Sequence, residues 1–436
     1  MTKSIGDELY TWAADLFPLN RSLTGSGNRA TLEYLRRIMP MMRMTEIPSG
    51  TPVFDWLVPD EWNVKDAYIV NDKQERIVDW RASNLHLVGY SAPFRGRLSL
   101  DELQGHLHSL PDDPNAIPYV TSYYRRRWGF CMRHCDRERL VPGNYQVVVD
   151  TTLEPGSLTI GDVVLLGEES SEVLLSTYIC HPSMANNEVS GPVVTAALTR
   201  WLTNLPRRRF TYRIVFAPET IGALAYLSRN AQMKERTVAG FVVTCVGDDR
   251  AYSYVPSRRS NTLADRVARH VLRHKVTEYK EYSFLERGSD ERQYCSPTFD
   301  MPVVSVMRSK YGTYPEYHTS RDDLSVISPR GLNGAFEVLQ SCLTALEKNL
   351  VYRTTCAGEP QMSRRGLYPD QGAGSKSALV QQRMNILAYA DGKTDLLSIA
   401  ETIQDPVDEC ARTAEELREA GLLECSAFRE GRDRHD

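Results

Sequence analysis

The chain has 436 residues, 42% hydrophobic and 25% charged, with a net charge of −4; that length supports two or three domains with cores of their own, and that charge offers no electrostatic reason to expect nucleic acid or an anionic membrane as partner. No apolar run approaches the ~20 residues needed to span a bilayer, and the opening MTKSIGDELYTWAADLF lacks the apolar stretch and cleavage site of a secretion signal, so a cytoplasmic protein is expected. Nine cysteines at scattered spacing argue for free thiols rather than a disulfide framework.

In chain order, residues 1–44 read as amphipathic helices around an LNRSLTGSGN turn, with Leu9, Trp12, Leu16, Leu32, Tyr34, Leu35 and Ile38 as buried candidates. From 45 to 165 the texture changes to short β-like runs punctuated by Pro and Gly, which predicts a β-rich insertion. Within it Cys131, His134 and Cys135 lie close together, but no second Cys/His pair at zinc-finger spacing follows, so no structural zinc is expected there. From 166 to 350 strand and helix alternate (VLLSTYI, a helix after Asn187, YRIVFAPE, IGALAYLSRN, AGFVVTCVG, ADRVARHVLRHK, MPVVSVMRS, then a closing helix), the grammar of a doubly wound α/β domain. The tail, 376–436, reads as three helices and a short strand, as in a winged helix. From Gln381 to Asp436 it carries seven Lys/Arg against thirteen Asp/Glu, a balance that repels phosphate backbones; a protein contact or self-association is the expected role.

The most informative stretch is STYICHPSMANNEVSG, residues 176–191. Its β-branched, apolar lead-in predicts a strand buried on both faces, which delivers Cys180 and His181 to the strand's carboxyl end, where ligands bind in open α/β sheets. Asn186, Asn187 and Ser190 are natural caps for the helix that follows. Glu219 and Asp248 end two further predicted strands, and charged groups in such a crevice need partners or a task. Glu219, after YRIVFAP, suits a general base that draws a proton from a metal-activated water. His318, in KYGTYPEYHTSRDDL, is the natural partner of His181, because zinc takes imidazoles from loops distant in sequence. Arg292 and Arg308 could fork onto a substrate carboxylate and Glu316 meet an ammonium group, or all three could belong to a salt-bridge network.

The order of His181, Glu219, Ser289-Asp290 before Met301-Pro302, Tyr317-His318-Thr319 and Asp322 or Asp323 resembles the zinc aminopeptidase and glutaminyl cyclase fold. CHPSMANNEVSG, PETIG, GSDERQYCSP and PEYHTSRDDL together resemble, over nearly the whole chain, a bacterial aminopeptidase-like family with a β-rich insertion and a C-terminal winged helix. The resemblance implies that His181 and His318 bind metal, that Glu219 is the general base, and that the substrate is a small peptide or aminoacyl conjugate hydrolysed at an amide bond. It also exposes departures: Asn187 stands where a carboxylate bridges two zincs, Thr220 where a second Glu ligand follows the base, and Thr244 where an Asp ligand is expected, with Asp248 four residues later. One zinc per chain on His181 and His318, completed by Asn187, Asp248 or Asp290, needs the fewest assumptions. The missing carboxylates leave two alternatives, a binding protein without turnover and an amide hydrolase acting on a sugar or natural-product intermediate.

Overall fold

The computed structural model describes residues 4–367 and 378–425. The chain forms two compact units, Met1–Asp265 with Glu278–Glu337, and Arg266–Thr277 with Val338–Asp436. In the first, an eight-stranded mixed sheet comprises β1 (Arg43–Pro48), β2 (Ser157–Leu165), β3 (Glu172–Tyr178), β4 (Thr211–Ala217), β5 (Thr237–Val242), β6 (Ser253–Val255), β7 (Lys280–Glu281) and β8 (Val303–Met307), in the order β1-β2-β4-β3-β5-β8-β6-β7. The central strands β4, β3, β5 and β8 run parallel, with Leu175 opposite Ile214 on one side and Phe241 on the other. Every residue of β3 and β8 is buried, as expected for apolar runs covered on both faces.

The chain leaves β3 for its neighbour β4 and then crosses to the opposite side for β5, so the carboxyl ends of these three strands open a crevice where the winding direction switches. His181 follows β3, Glu219 follows β4, and Thr244 to Asp248 follow β5. The helix α1 (Ile5–Leu16) is closed at its start by a capping box between Ser4 and Asp7. It and α2 (Ser26–Ile38) bury Leu9, Trp12, Leu16, Leu32 and Leu35 as expected. Tyr34 and Ile38 stay partly exposed, because Tyr34 donates its hydroxyl to Asp15 at the helix surface.

The β-rich segment holds an antiparallel sheet of four strands in the order Arg76–Asp79, Glu61–Val70, Asn144–Glu154, Phe94–Ser99. Its separate sheet is narrower than the 45–165 read from composition, since β1 and β2 at either end pair with each other and join the central sheet. The second unit carries a three-stranded sheet with Val351–Thr354 in the middle, Asp391–Asp395 and Leu423–Cys425 at the edges, and helices Ala378–Tyr389, Leu396–Ile403 and Val407–Glu419. That middle strand precedes the 376 boundary, because four residues are too few to show a period of two. No helix among the described residues is long and apolar enough to cross a membrane.

Candidate metal centre

His181 is 4% exposed and its ring is held from both ends of the local chain. Its Nδ1 lies 2.8 Å from Oε2 of Glu188, one turn into the following helix, and its backbone carbonyl accepts from Nε of Arg21 at 3.1 Å. Arg21 and Glu188 are both buried and face each other at 3.6 Å; burial pushes the Glu188 carboxyl well up, and the Arg21 guanidinium opposes that as its counter-ion. Burial, with Arg21 adding to it, pushes the His181 imidazole down to about 3, leaving a neutral ring whose Nδ1 carries the proton when Glu188 is ionised. Nε2 is then a free lone pair aimed at the crevice. A carboxylate behind a histidine in this way is the usual support of a metal-ligating imidazole.

His318 arrives from a loop whose backbone turns through φ +57° at that residue. Its Nε2 lies 3.1 Å from Oδ1 of Asn187, and its ring centroid lies 5.3 Å from that of His181. Burial, reinforced by His181, likewise holds its imidazole down to about 3. Asn187 is oriented by a closed circuit. Its Nδ2 donates to the Tyr178 hydroxyl at 2.7 Å, Tyr178 and Thr244 share a hydrogen bond of 2.5 Å, and the Thr244 hydroxyl donates back to the Asn187 carbonyl at 3.1 Å. The amide oxygen is thereby the atom presented to His318. The backbone N–H groups of Asn186 and Asn187 both donate to Asp322, whose carboxyl burial pushes up to about 6.

Glu219 reaches the same point from the end of β4, with Oε2 3.7 Å from His181 Nε2. The Ile221 N–H donates to the Glu219 carbonyl at 2.8 Å, and Thr220 between them has φ +65° and ψ −78°, a γ-turn conformation that a β-branched residue adopts only under strain. Three contacts hold it: the Glu219 N–H donates to Cys180 Sγ at 3.2 Å, the Thr220 N–H to Asp290 at 2.7 Å, and Arg292 to the Thr220 hydroxyl at 2.7 Å. Burial, then the neighbouring Asp290, pushes the Glu219 carboxyl well up, and burial pushes that of Asp290 up to about 7. The crevice opens into a cleft of about 180 Å³ lined by Leu23, Trp56, Tyr123, Tyr124, Cys180, Glu219, Thr220, Ile221 and Arg292.

The structure therefore brings His181, Asn187, His318, Glu219, Asp290 and Arg292 together and places three other sequence candidates elsewhere. Asp248, expected to join the metal shell, is fully buried and its two oxygens accept from Asn186, from the backbone of Ser309 and Arg250 and from the Ser309 hydroxyl, so it ties loops together. Arg308 stacks on Tyr252 at 3.8 Å and faces Asp249, and Glu316 pairs with Arg250 at 2.9 Å; neither lines the cleft. Both belong to the salt-bridge network that was their alternative. Residues missed in the sequence are Glu188, Arg21 and Tyr119. Glu188 stands inside the motif itself, and Arg21 inside a stretch read only as a turn. Tyr119 comes from the insertion, packs its ring 5.3 Å from His181 and 5.1 Å from His318, and donates its N–H to the His318 carbonyl at 2.9 Å.

Nitrogen from two imidazoles and a nearby carboxylate are donors that zinc accepts, and the Asn187 amide oxygen is a neutral, weaker donor beside them. Among the described residues, Cys180, His181 and Glu188 also lie close enough to hold an ion, but Arg21 occupies the Glu188 side and His181 Nδ1 is already committed there, so that group is a closed hydrogen-bonded support. In the insertion, Cys135 donates to Asn115 and the Cys131 carbonyl accepts from His86.

A family model described as domain of unknown function (DUF4910) matches residues 10–349, and one for a winged helix-turn-helix matches 350–425. A protein of Clostridium acetobutylicum, provisionally named a polysaccharide biosynthesis protein with aminopeptidase-like domain, is 41% identical over 399 residues, 91% of either chain. A crystal structure from Clostridium acetobutylicum, provisionally called a peptidase, superposes with a TM-score of 0.91 at 38% identity over 96% of both chains. The zinc aminopeptidase of Bacillus subtilis superposes at 0.58 and 12% identity over 78% of this chain and 94% of its own, a likeness of fold. Winged helix-turn-helix units are a DNA-binding architecture, so the expectation of no nucleic-acid partner rests on charge alone. With the zinc-aminopeptidase fold, the crevice motifs and the matched length in agreement, the chain belongs to the DUF4910 family and carries a C-terminal winged helix-turn-helix domain.

Proposed function

We propose that the chain is a zinc-dependent amide hydrolase of aminopeptidase type, with one ion held by His181, His318 and Asn187 and with Glu219 as the proton-transfer group. The observation that carries this reading is the convergence of a Glu188-backed His181 Nε2, the Asn187–His318 pair and the Glu219 carboxylate at the switch point of the sheet. Bound zinc would supply Lewis acidity toward a carbonyl and lower the pKa of water. On this reading Glu219 takes the proton of the attacking water and returns it to the leaving amine. Glu188 and Arg21 hold His181 in the tautomer and orientation that leaves Nε2 available, and the Tyr178–Thr244 circuit does the same for the Asn187 oxygen. Arg292 and Asp290 hold the strained turn that presents Glu219, and Arg292 is also available to a substrate anion.

The substrate on this reading is a small peptide or aminoacyl conjugate, and the provisional name of the Clostridium acetobutylicum relative favours an amide attached to a saccharide. Purified protein should contain one equivalent of zinc, and His181→Ala with His318→Ala should lose it. Glu219→Gln should keep the metal while amide hydrolysis falls by about 10²–10⁴-fold. Full zinc retention in the double histidine variant would refute the site, and a zinc-loaded wild type that turns over neither amino-acid anilides nor acylated sugars would point to a binding protein.

A further inference from the structure

The cleft that holds Glu219 has an outer wall, built by the insertion, that the chemistry above does not use. Trp56 stands on a hairpin of Pro52–Val53 and Trp56–Leu57, and Tyr124 on a loop that the hairpin holds: their rings meet edge to face with centroids 5.6 Å apart, and the Tyr124 hydroxyl donates to the Leu57 carbonyl. Both line the cleft, yet they are 40% and 50% exposed. With Phe54 on the same hairpin they make three of the four exposed aromatic side chains among the described residues. Aromatic surface gathered in one open patch at a cleft marks a place where something else packs.

The loop continues from Tyr124 into Arg125, Arg126 and Arg127, all exposed, and none of the three forms an ion pair among the described residues. Adjacent guanidinium groups without counter-ions raise a positive potential at that rim, although the chain as a whole is acidic. Arg292 adds a further cation on the cleft wall, where it donates to the Thr220 hydroxyl and faces Glu219 at 3.8 Å, and Tyr123 lines the same wall with its hydroxyl bonded to that of Tyr119. Flat aromatic faces suit the apolar face of a ring, hydroxyls and a guanidinium suit polar groups at the ring's edge, and clustered arginines suit phosphate. An aromatic or aliphatic amino-acid side chain would use the first of these and leave the arginine loop without an anion.

We infer that this wall is a recognition subsite for the non-reacting end of the substrate, in which a sugar ring stacks on Trp56 and Tyr124 and a phosphate on that sugar meets the arginine loop. The amide beside Glu219 is then borne by a phosphorylated sugar. This rests on the reading of the Glu219 cleft as the active site, so the test is one of binding rather than turnover. Full-length Glu219→Gln protein is titrated calorimetrically with N-acetylglucosamine 1-phosphate, UDP-N-acetylglucosamine, UDP, N-acetylglucosamine and leucinamide. The phosphorylated sugars should bind at least about tenfold more tightly than the neutral sugar, by a margin that shrinks as salt is raised. Trp56→Ala should weaken both by about tenfold or more, with Trp56→Phe restoring most of the affinity. Replacing the three arginines with alanine should erase the preference for phosphate and spare the neutral sugar. A preference between the two phosphorylated sugars identifies which form is the ligand, free or nucleotide-linked. Leucinamide binding as tightly as the sugars, UDP alone matching UDP-N-acetylglucosamine, indifference to Trp56→Ala, or no binding by any probe would each overturn the subsite. Trp56-dependent sugar binding in a wild type without hydrolysis would refute the hydrolase reading and leave the subsite standing.

Discussion

At the scale of single residues, the centre depends on charges that never touch the crevice. Glu188 is fully buried, and one of its oxygens, Oε1, has no hydrogen-bond partner, facing only the Arg21 guanidinium at 3.6 Å. Such a pair survives burial only because each charge compensates the other. Its yield is the tautomer of His181. Glu188→Gln keeps the size but replaces the carboxylate with an amide free to flip, so zinc affinity is expected to fall about 10–100-fold, measured by competition with a chromophoric chelator, while the far-ultraviolet dichroism stays unchanged. Unaltered affinity would mean that Glu188 is only a structural partner of Arg21. The same logic separates Asp248 from Glu219. Both follow central strands in sequence, but Asp248 is saturated by hydrogen bonds from its neighbours, whereas Glu219 is left facing His181.

At the scale of elements, the site requires the helix Ser190–Thr203 to start hard against the sheet, because the helical turn Ala185–Val189 that leads into it carries Glu188 and Asn187 toward the strand ends. Gly191 makes that approach feasible: a Cβ there would lie 2.4 Å from the Val243 carbonyl oxygen and 2.5 Å from the Thr177 hydroxyl. Alanine is the better helix former by about 1 kcal/mol, yet a clash with backbone cannot be relieved by a rotamer change. Gly191→Ala is therefore expected to destabilise the first unit by about 1–3 kcal/mol, read from its denaturation midpoint, and to weaken zinc retention as the helix shifts. A stabilised variant would show that the helix end is free to move. The insertion is the second element that matters. Its 117–120 segment is bonded to the His318 loop through Tyr119 and through Ile117 with Ser320, so it braces one candidate ligand as well as walling the cleft.

At the scale of the whole molecule, the second unit has its own acid sensitivity. His270 is buried, its Nε2 accepts the Val407 N–H at 3.0 Å, and burial, then His274 and Arg273, holds its imidazole down to about 4. The unfolded chain binds that proton near pH 6.5, so the stabilising contribution is complete above about 6.5 and is lost as the pH falls toward 4. Amide exchange in the helices Ala378–Tyr389 and Val407–Glu419 should accelerate across that window, and His270→Asn should flatten the dependence. Much of this architecture was legible beforehand. The alternation of apolar strands with helices from 166 to 350, the tail's three helices, and His181, Glu219 and His318 at strand ends or loops are local patterns, and local patterns follow from side-chain periodicity and turn chemistry alone. The assignment of β1 and β2 to the central sheet, the withdrawal of Asp248, Arg308 and Glu316 from the site, and the arrival of Arg21, Glu188 and Tyr119 were decided only by the tertiary structure. The physical reason is common to all of them. Which carboxylate is spent on a hydrogen bond and which remains free depends on partners up to hundreds of residues away, and no spacing along the chain records that pairing.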